Sequence, residues 1–145
     1  MTENIKLHTD QRVTTMTIAR PEKRNAITQD MYAAMADALE DYARSDAVRA
    51  FVITGAEDYF TSGNDLQDFA KGTRSDGVPP VIRFLTAIST CPKPLIAAVN
   101  GPAIGVGVTM LLHCDLIIAA DTATFSTPFF QLGLVPGAAS FFFFF

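Results

Sequence analysis

Near its start the chain alternates polar and apolar positions over two short stretches, residues 4–8 and 13–19. In the second, Val13, Thr15 and Thr17 alternate with Thr14, Met16 and Ile18, and the polar residues Thr9–Arg12 between the stretches predict a hairpin turn. A charged loop, Arg20–Asn25, changes the period. Behind Thr28, a good N-cap, Met31, Met35, Ala38, Leu39 and Tyr42 recur at helical spacing, which predicts a helix to about Arg44, closed by Ser45-Asp46. Residues 48–54, apolar from Ala50, return as a strand. Tyr59–Leu66 is rich in turn residues, and a short helix is expected at Leu66–Ala70.

Lys71–Pro80 reads as a mobile loop by composition, after which Ile82, Leu85 and Ile88 carry a helical stripe until Pro92. Pro94–Val99 has the length and branching of a buried strand. Gly101, Pro102, Gly105 and Gly107 then mark a turn opening into a helix. Strands at residues 115–120 and 123–126 and a short helical or turn segment at 127–133 complete the pattern. The order strand, strand, helix, strand places the chain in the α/β class.

Composition narrows the functional classes. With 145 residues, 49% of them hydrophobic, the chain can bury a core as one domain. A net charge of -4 argues against a nucleic-acid partner. No stretch reaches the length of a membrane span, and the N-terminus lacks a secretory pattern. Cys91 and Cys114 lie in apolar surroundings and read as reduced thiols of a cytoplasmic protein. His113, beside Cys114 and Asp115, does not have metal-ligand spacing and reads as structural. Residues 1–140 are taken as one core and Phe141–Phe145 as an anomalous tail, because five consecutive phenylalanines cannot be hidden on one helix face.

The candidate chemistry centres on Asn100–Asp115. At a strand-to-helix turn the unpaired N–H groups and the helix dipole favour negative charge, so an oxygen gaining charge could sit over the N–H of Val106, next to Gly105. Equally, glycines at 105 and 107 could serve helix packing alone.

Further motifs bear on this choice: R-P-E-K-R-N-A-I at 20–27, Y-F-T-S-G-N-D-L at 59–66, P-K-P-L-I-A-A-V-N-G-P at 92–102 and C-D-L-I-I-A-A-D-T-A-T-F at 114–125. With them the chain resembles the enoyl-CoA hydratase/isomerase (crotonase) superfamily from about Val13 to Ala139. The resemblance implies a spiral of repeated ββα units and an acyl-CoA substrate, with coenzyme A arriving as part of that substrate and no separate cofactor. It also implies assembly as a homotrimer or hexamer, and a longer chain, of which this would be the N-terminal part.

In that family two backbone N–H groups hold the thioester oxygen. By motif position they are assigned to Ser62 and Val106. The resemblance extends the substrate-binding set to Lys23, Arg24, Ala26, Gly63, Asn64, Asp65, Leu66 and Gly105. Lys23 and Arg24 are candidates for the CoA phosphates or members of a solvated loop. Asp65 is a candidate carboxylate or the cap of the following helix.

Hydratases of the family use two glutamates, and the matching positions here are Thr109 and Phe129. The closer likeness is to the branch that converts 3-enoyl-CoA to 2-enoyl-CoA, through S-G-N-D-L, G-P-A-I-G-V-G-V-T and T-P-F. That branch uses one carboxylate after a later proline. Here the proline is Pro136 and the next residue is Gly137, which has no proton acceptor. Three functions remain: isomerisation through an enolate with the base replaced, non-catalytic acyl-CoA binding or scaffolding, and hydration or thioester hydrolysis by another acid.

Overall fold

The computed structural model describes residues 2–71 and 77–128. Its first unit is a hairpin, β1 (Ile5–Asp10) antiparallel to β2 (Val13–Ile18). The strands run closer to the turn than the polar Thr9–Arg12 pattern suggests. Only Gln11 and Arg12 turn the chain, both at positive φ (47° and 68°), as a tight two-residue hairpin requires. On β2 the Thr14, Met16 and Ile18 side is buried, as the alternation predicts.

After a 3-10 turn at Pro21–Lys23, α1 (Gln29–Arg44) begins at Thr28, whose hydroxyl accepts the Met31 N–H at 3.3 Å. Its buried stripe is wider than the spacing predicts, because Tyr32 and Ala36 join Met31, Met35, Ala38, Leu39 and Tyr42. Each large apolar side chain taken fully out of water there contributes about 1.5–3 kcal/mol. At the other end, Lys93 Nζ caps the helix by donating to Tyr42 O at 2.8 Å and to Ser45 O at 2.6 Å.

β3 (Ala50–Gly55) lies parallel to β2, β4 (Leu95–Val99) parallel to β3, and β6 (Leu116–Ala119) parallel to β4. The sheet order is β1-β2-β3-β4-β6. A second pair, β5 (Ala103–Ile104) with β7 (Phe125–Ser126), is also parallel.

Two short helices follow the β3 loop. α2 (Leu66–Ala70) forms where expected, and α3 (Pro80–Ser89) packs across α1. The stripe of α3 is rotated from the one expected: Phe84 and Ile88 are buried, while Ile82 is exposed. In that rotation Arg83 pairs with Asp37 at 2.7 Å and with both oxygens of Glu40 at 2.7 and 2.6 Å.

β6 departs from the usual pattern. Its apolar residues Leu116, Ile117 and Ile118 are all exposed, on an edge strand. Among the described residues no helix is long and apolar enough to cross a membrane.

Candidate functional site

The site is built where two loops are stitched together, Phe60–Asp65 after β3 and Pro102–Val106 after β4. The N–H groups of Phe60 and Thr61 donate to Pro102 O, and the Ile104 N–H donates to Thr61 O at 3.0 Å. Gly63 sits against Ile104: a Cβ there would lie 2.9 Å from the Ile104 carbonyl oxygen, and its φ of +91° also requires glycine. Gly107 has a packing role, since a Cβ on it would come within 2.6 Å of Thr61 Cγ2. The two glycines of the G-x-G turn therefore do different things. Gly107 closes the seam, and Gly105, at φ 59° and with its N–H on Ser126 O, turns the chain so that α4 (Val106–Thr109) starts there.

That helix is shorter than expected. It is one α turn that continues as a 3-10 helix, Met110–His113. The electrostatics of its start therefore rest on local amides and little on an extended dipole. The Val106 N–H has no hydrogen-bond partner among the described residues.

The Ser62 amide is otherwise placed. Its N–H donates to Arg24 O at 3.0 Å, so it is already occupied. The kink at Gly63 accounts for this. In a regular strand Ser62 and Asn64 would present their amides to the same edge. Here the Ser62 N–H, the Gly63 carbonyl and the Asp65 N–H all face the Arg24–Ile27 segment, the last two bonding Ile27 at 2.8 and 2.9 Å. This leaves the Asn64 N–H on the opposite edge, with no partner among the described residues. On that loop the open donor is Asn64, in place of Ser62.

A buried network holds the loops. Asn25 is fully buried at φ 56°; its Oδ1 accepts the Arg20 N–H at 2.9 Å, and its Nδ2 donates to Ala56 O at 2.8 Å and Tyr59 O at 2.7 Å. The Thr61 hydroxyl donates to Asn25 O at 2.7 Å and accepts the Gly63 N–H at 3.1 Å. Asn64 is anchored from below by the hydroxyl of Tyr32, which donates to Asn64 Oδ1 at 2.5 Å. Neither Asn25 nor Tyr32 stands out in the sequence as a functional residue, although N-A-I after the basic pair is the signal that contains the first.

Asp65 is a cap. One oxygen accepts the Asp68 N–H at 3.0 Å, and the other pairs with Arg20 Nη1 at 2.7 Å. The guanidinium and the Asp68 amide hold its carboxyl below the usual carboxylate range, so it is a poor base. Ala26 also has its carbonyl occupied, by Arg20 Nη1 at 3.1 Å. Leu66 is exposed at the start of α2.

Lys23 and Arg24 are exposed, and neither forms an ion pair among the described residues; the Arg24 guanidinium carbon lies 5.8 Å from the Tyr59 ring centroid. Thr109 is buried, with its hydroxyl on Val106 O at 3.4 Å, and offers no carboxylate. Phe129, Pro136, Gly137 and the phenylalanine tail lie outside the described residues. No group of three or more metal-ligating side chains occurs among the described residues.

The model of one protein family, enoyl-CoA hydratase/isomerase, matches residues 8–144. The chain belongs to this family. It is 42% identical over 134 residues to rat enoyl-CoA delta isomerase 2, covering 88% of this chain and 34% of the relative. To mouse peroxisomal enoyl-CoA delta isomerase 3 it is 40% identical over 144 residues, covering 95% and 45%. Proteins named as hydratases match too. The crystal structure of an enoyl-CoA hydratase/isomerase from Pseudoalteromonas atlantica T6c superposes with a TM-score of 0.93 at 51% identity, covering 95% of this chain and 55% of that one.

The crotonase fold and the likeness to the isomerase branch expected from the motifs are thus met, in a family of enzymes. Against the relatives and structures it matches, this crotonase-type chain spans roughly a third to two thirds of their length.

Proposed function

We propose that the chain carries the oxyanion hole of an acyl-CoA-processing enzyme of the isomerase type, in which the N–H groups of Asn64 and Val106 grip the thioester oxygen. The carrying observation is a pair of amides, without partners among the described residues, on two loops that hydrogen-bond to each other. A thioester held in this way becomes acidic at its α carbon, since the negative charge of the enolate falls on the oxygen facing the donors. One such donor contributes on the order of 3 kcal/mol to the barrier. Lys23 and Arg24, exposed on the segment bonded to Ser62, are suited to the phosphates of coenzyme A. No cofactor beyond the substrate's own coenzyme A is invoked.

The proton must then move from the α to the γ carbon, and the sequence offers glycine where the carboxylate is expected, at Gly137. Asp65 cannot substitute, because its pair with Arg20 keeps it ionised and engaged. The chain as written is therefore expected to bind a CoA ester without turning it over. This favours the binding or scaffolding reading over hydration or thioester hydrolysis, for which Thr109 and Asp65 provide no free acid. A cytoplasmic location, supported by the free thiols of Cys91 and Cys114, and a homotrimer or hexamer, supported by the exposed apolar β6, belong to the same proposal.

Calorimetry with a 3-enoyl-CoA and a coupled turnover assay test this. Saturable binding with negligible turnover is expected, and Gly137→Glu should raise turnover. Failure to bind the ester, or normal turnover with Gly137 in place, overturns the reading.

A further inference from the structure

Tyr32 lies in the second turn of α1, with none of its surface exposed. Its ring is clamped by Phe69, edge-on at 6.2 Å between centroids, and by Phe84 at 5.4 Å. A phenol hydroxyl carried this far inside costs free energy unless it finds a partner. The partner is Asn64 Oδ1, across 32 positions of sequence. Phenylalanine would fill the same space without that cost, so what the hydroxyl adds is the bond to Asn64.

We propose that Tyr32 is a positioning residue that sets the direction of the Asn64 amide through the hydrogen bond from its hydroxyl to the Asn64 side chain. The inference rests on the oxyanion-hole reading above. Among the described residues Asn64 is otherwise tied through its neighbours, the Gly63 carbonyl and Asp65 N–H, both bonded to Ile27. The bond at the Gly63 carbonyl holds the peptide that carries the Asn64 N–H at its oxygen end alone, so that plane can still tilt about this one contact, next to a glycine at positive φ. The Tyr32 bond supplies the third point and resists that tilt. A donor aimed in advance at the place where charge develops needs no reorganisation when the charge appears. Burial pushes the Tyr32 hydroxyl's pKa upward, so it remains a neutral donor through the working range of pH.

The test uses butanoyl-CoA labelled with carbon-13 at the thioester carbonyl, whose stretching frequency falls as hydrogen bonds to the oxygen strengthen. Infrared difference spectra are recorded for the bound ester on the wild-type chain, Tyr32→Phe, Asn64→Ala and the double variant, with affinity measured alongside. The wild type should lower the frequency relative to the free ester in water. Tyr32→Phe and Asn64→Ala should each lose about half of that lowering while the CoA portion still binds, and the double variant should lose no more than Asn64→Ala alone.

Absence of any lowering on the wild type overturns the oxyanion-hole reading and this inference with it. A full lowering on the wild type that persists in Tyr32→Phe overturns the inference alone. If Tyr32→Phe does not fold, Asn64→Ala decides, because it removes the anchor at a half-buried position; an undiminished lowering there overturns the inference.

Discussion

Removing the Asn25 side chain should separate the loops that the site depends on, and the cost can be worked out bond by bond. In Asn25→Ala the Arg20 N–H and the Ala56 carbonyl lose their partners, whereas Tyr59 O keeps a second donor, Asn100 Nδ2 at 3.3 Å. Two half-buried groups left unsatisfied cost about 1–2 kcal/mol each. Asn25 also sits at φ 56°, where asparagine is tolerated and alanine is strained by about 1 kcal/mol more.

The sum is about 3–5 kcal/mol, a large share of the roughly 5–15 kcal/mol that holds a domain folded. Asn25→Gly removes the same bonds without the backbone strain, so it should recover about 1 kcal/mol relative to alanine. Urea unfolding followed by far-UV circular dichroism measures all three, since the chain has no tryptophan. An alanine variant within about 1 kcal/mol of wild type, or a glycine variant no better than alanine, would refute this accounting.

Two further tests address the capping carboxylate and the open edge. Because Arg20 holds the Asp65 carboxyl below its usual range, that pair stabilises the fold at pH values above the unfolded carboxylate's, and the contribution is lost as pH falls from about 4 through the folded value. Asn can still cap α2, so Asp65→Asn should show a shallower loss of urea midpoint between about pH 5 and pH 3 than wild type; equal slopes would contradict the pairing. On β6, Ile117→Lys should lower self-association seen by light scattering, and an unchanged profile would mean that the exposed strand is not where copies meet.

Features set by neighbours in sequence were legible. The Thr28 cap, the alternation of β2 and the capping role of Asp65 all depend on residues within a few positions, and their patterns survive as spacing. The rotation of α3 is not legible, because the spacing of Ile82, Leu85 and Ile88 is compatible with more than one rotation, and burial of Phe84 and Ile88 against another helix selects among them. Tyr32 gives no signal for a related reason: one step from Met31, it only broadens an apolar stripe until the fold brings Asn64 to its hydroxyl.

The choice between Ser62 and Asn64 shows where reading by motif stops. The letters S-G-N-D-L locate the loop, but which of its amides is open depends on one torsion. Had Gly63 taken an ordinary extended φ, Ser62 and Asn64 would share an edge and either would serve. At +91° the chain inverts between them, the Arg24 carbonyl takes the first amide, and the second is left facing away from Ile27. The same glycine admits the Ile104 carbonyl at a distance no side chain allows, so the torsion that frees the donor also brings its loop against the one that ends at Val106. A residue with a side chain at position 63 would then disturb both the direction of the Asn64 amide and the approach of the second loop.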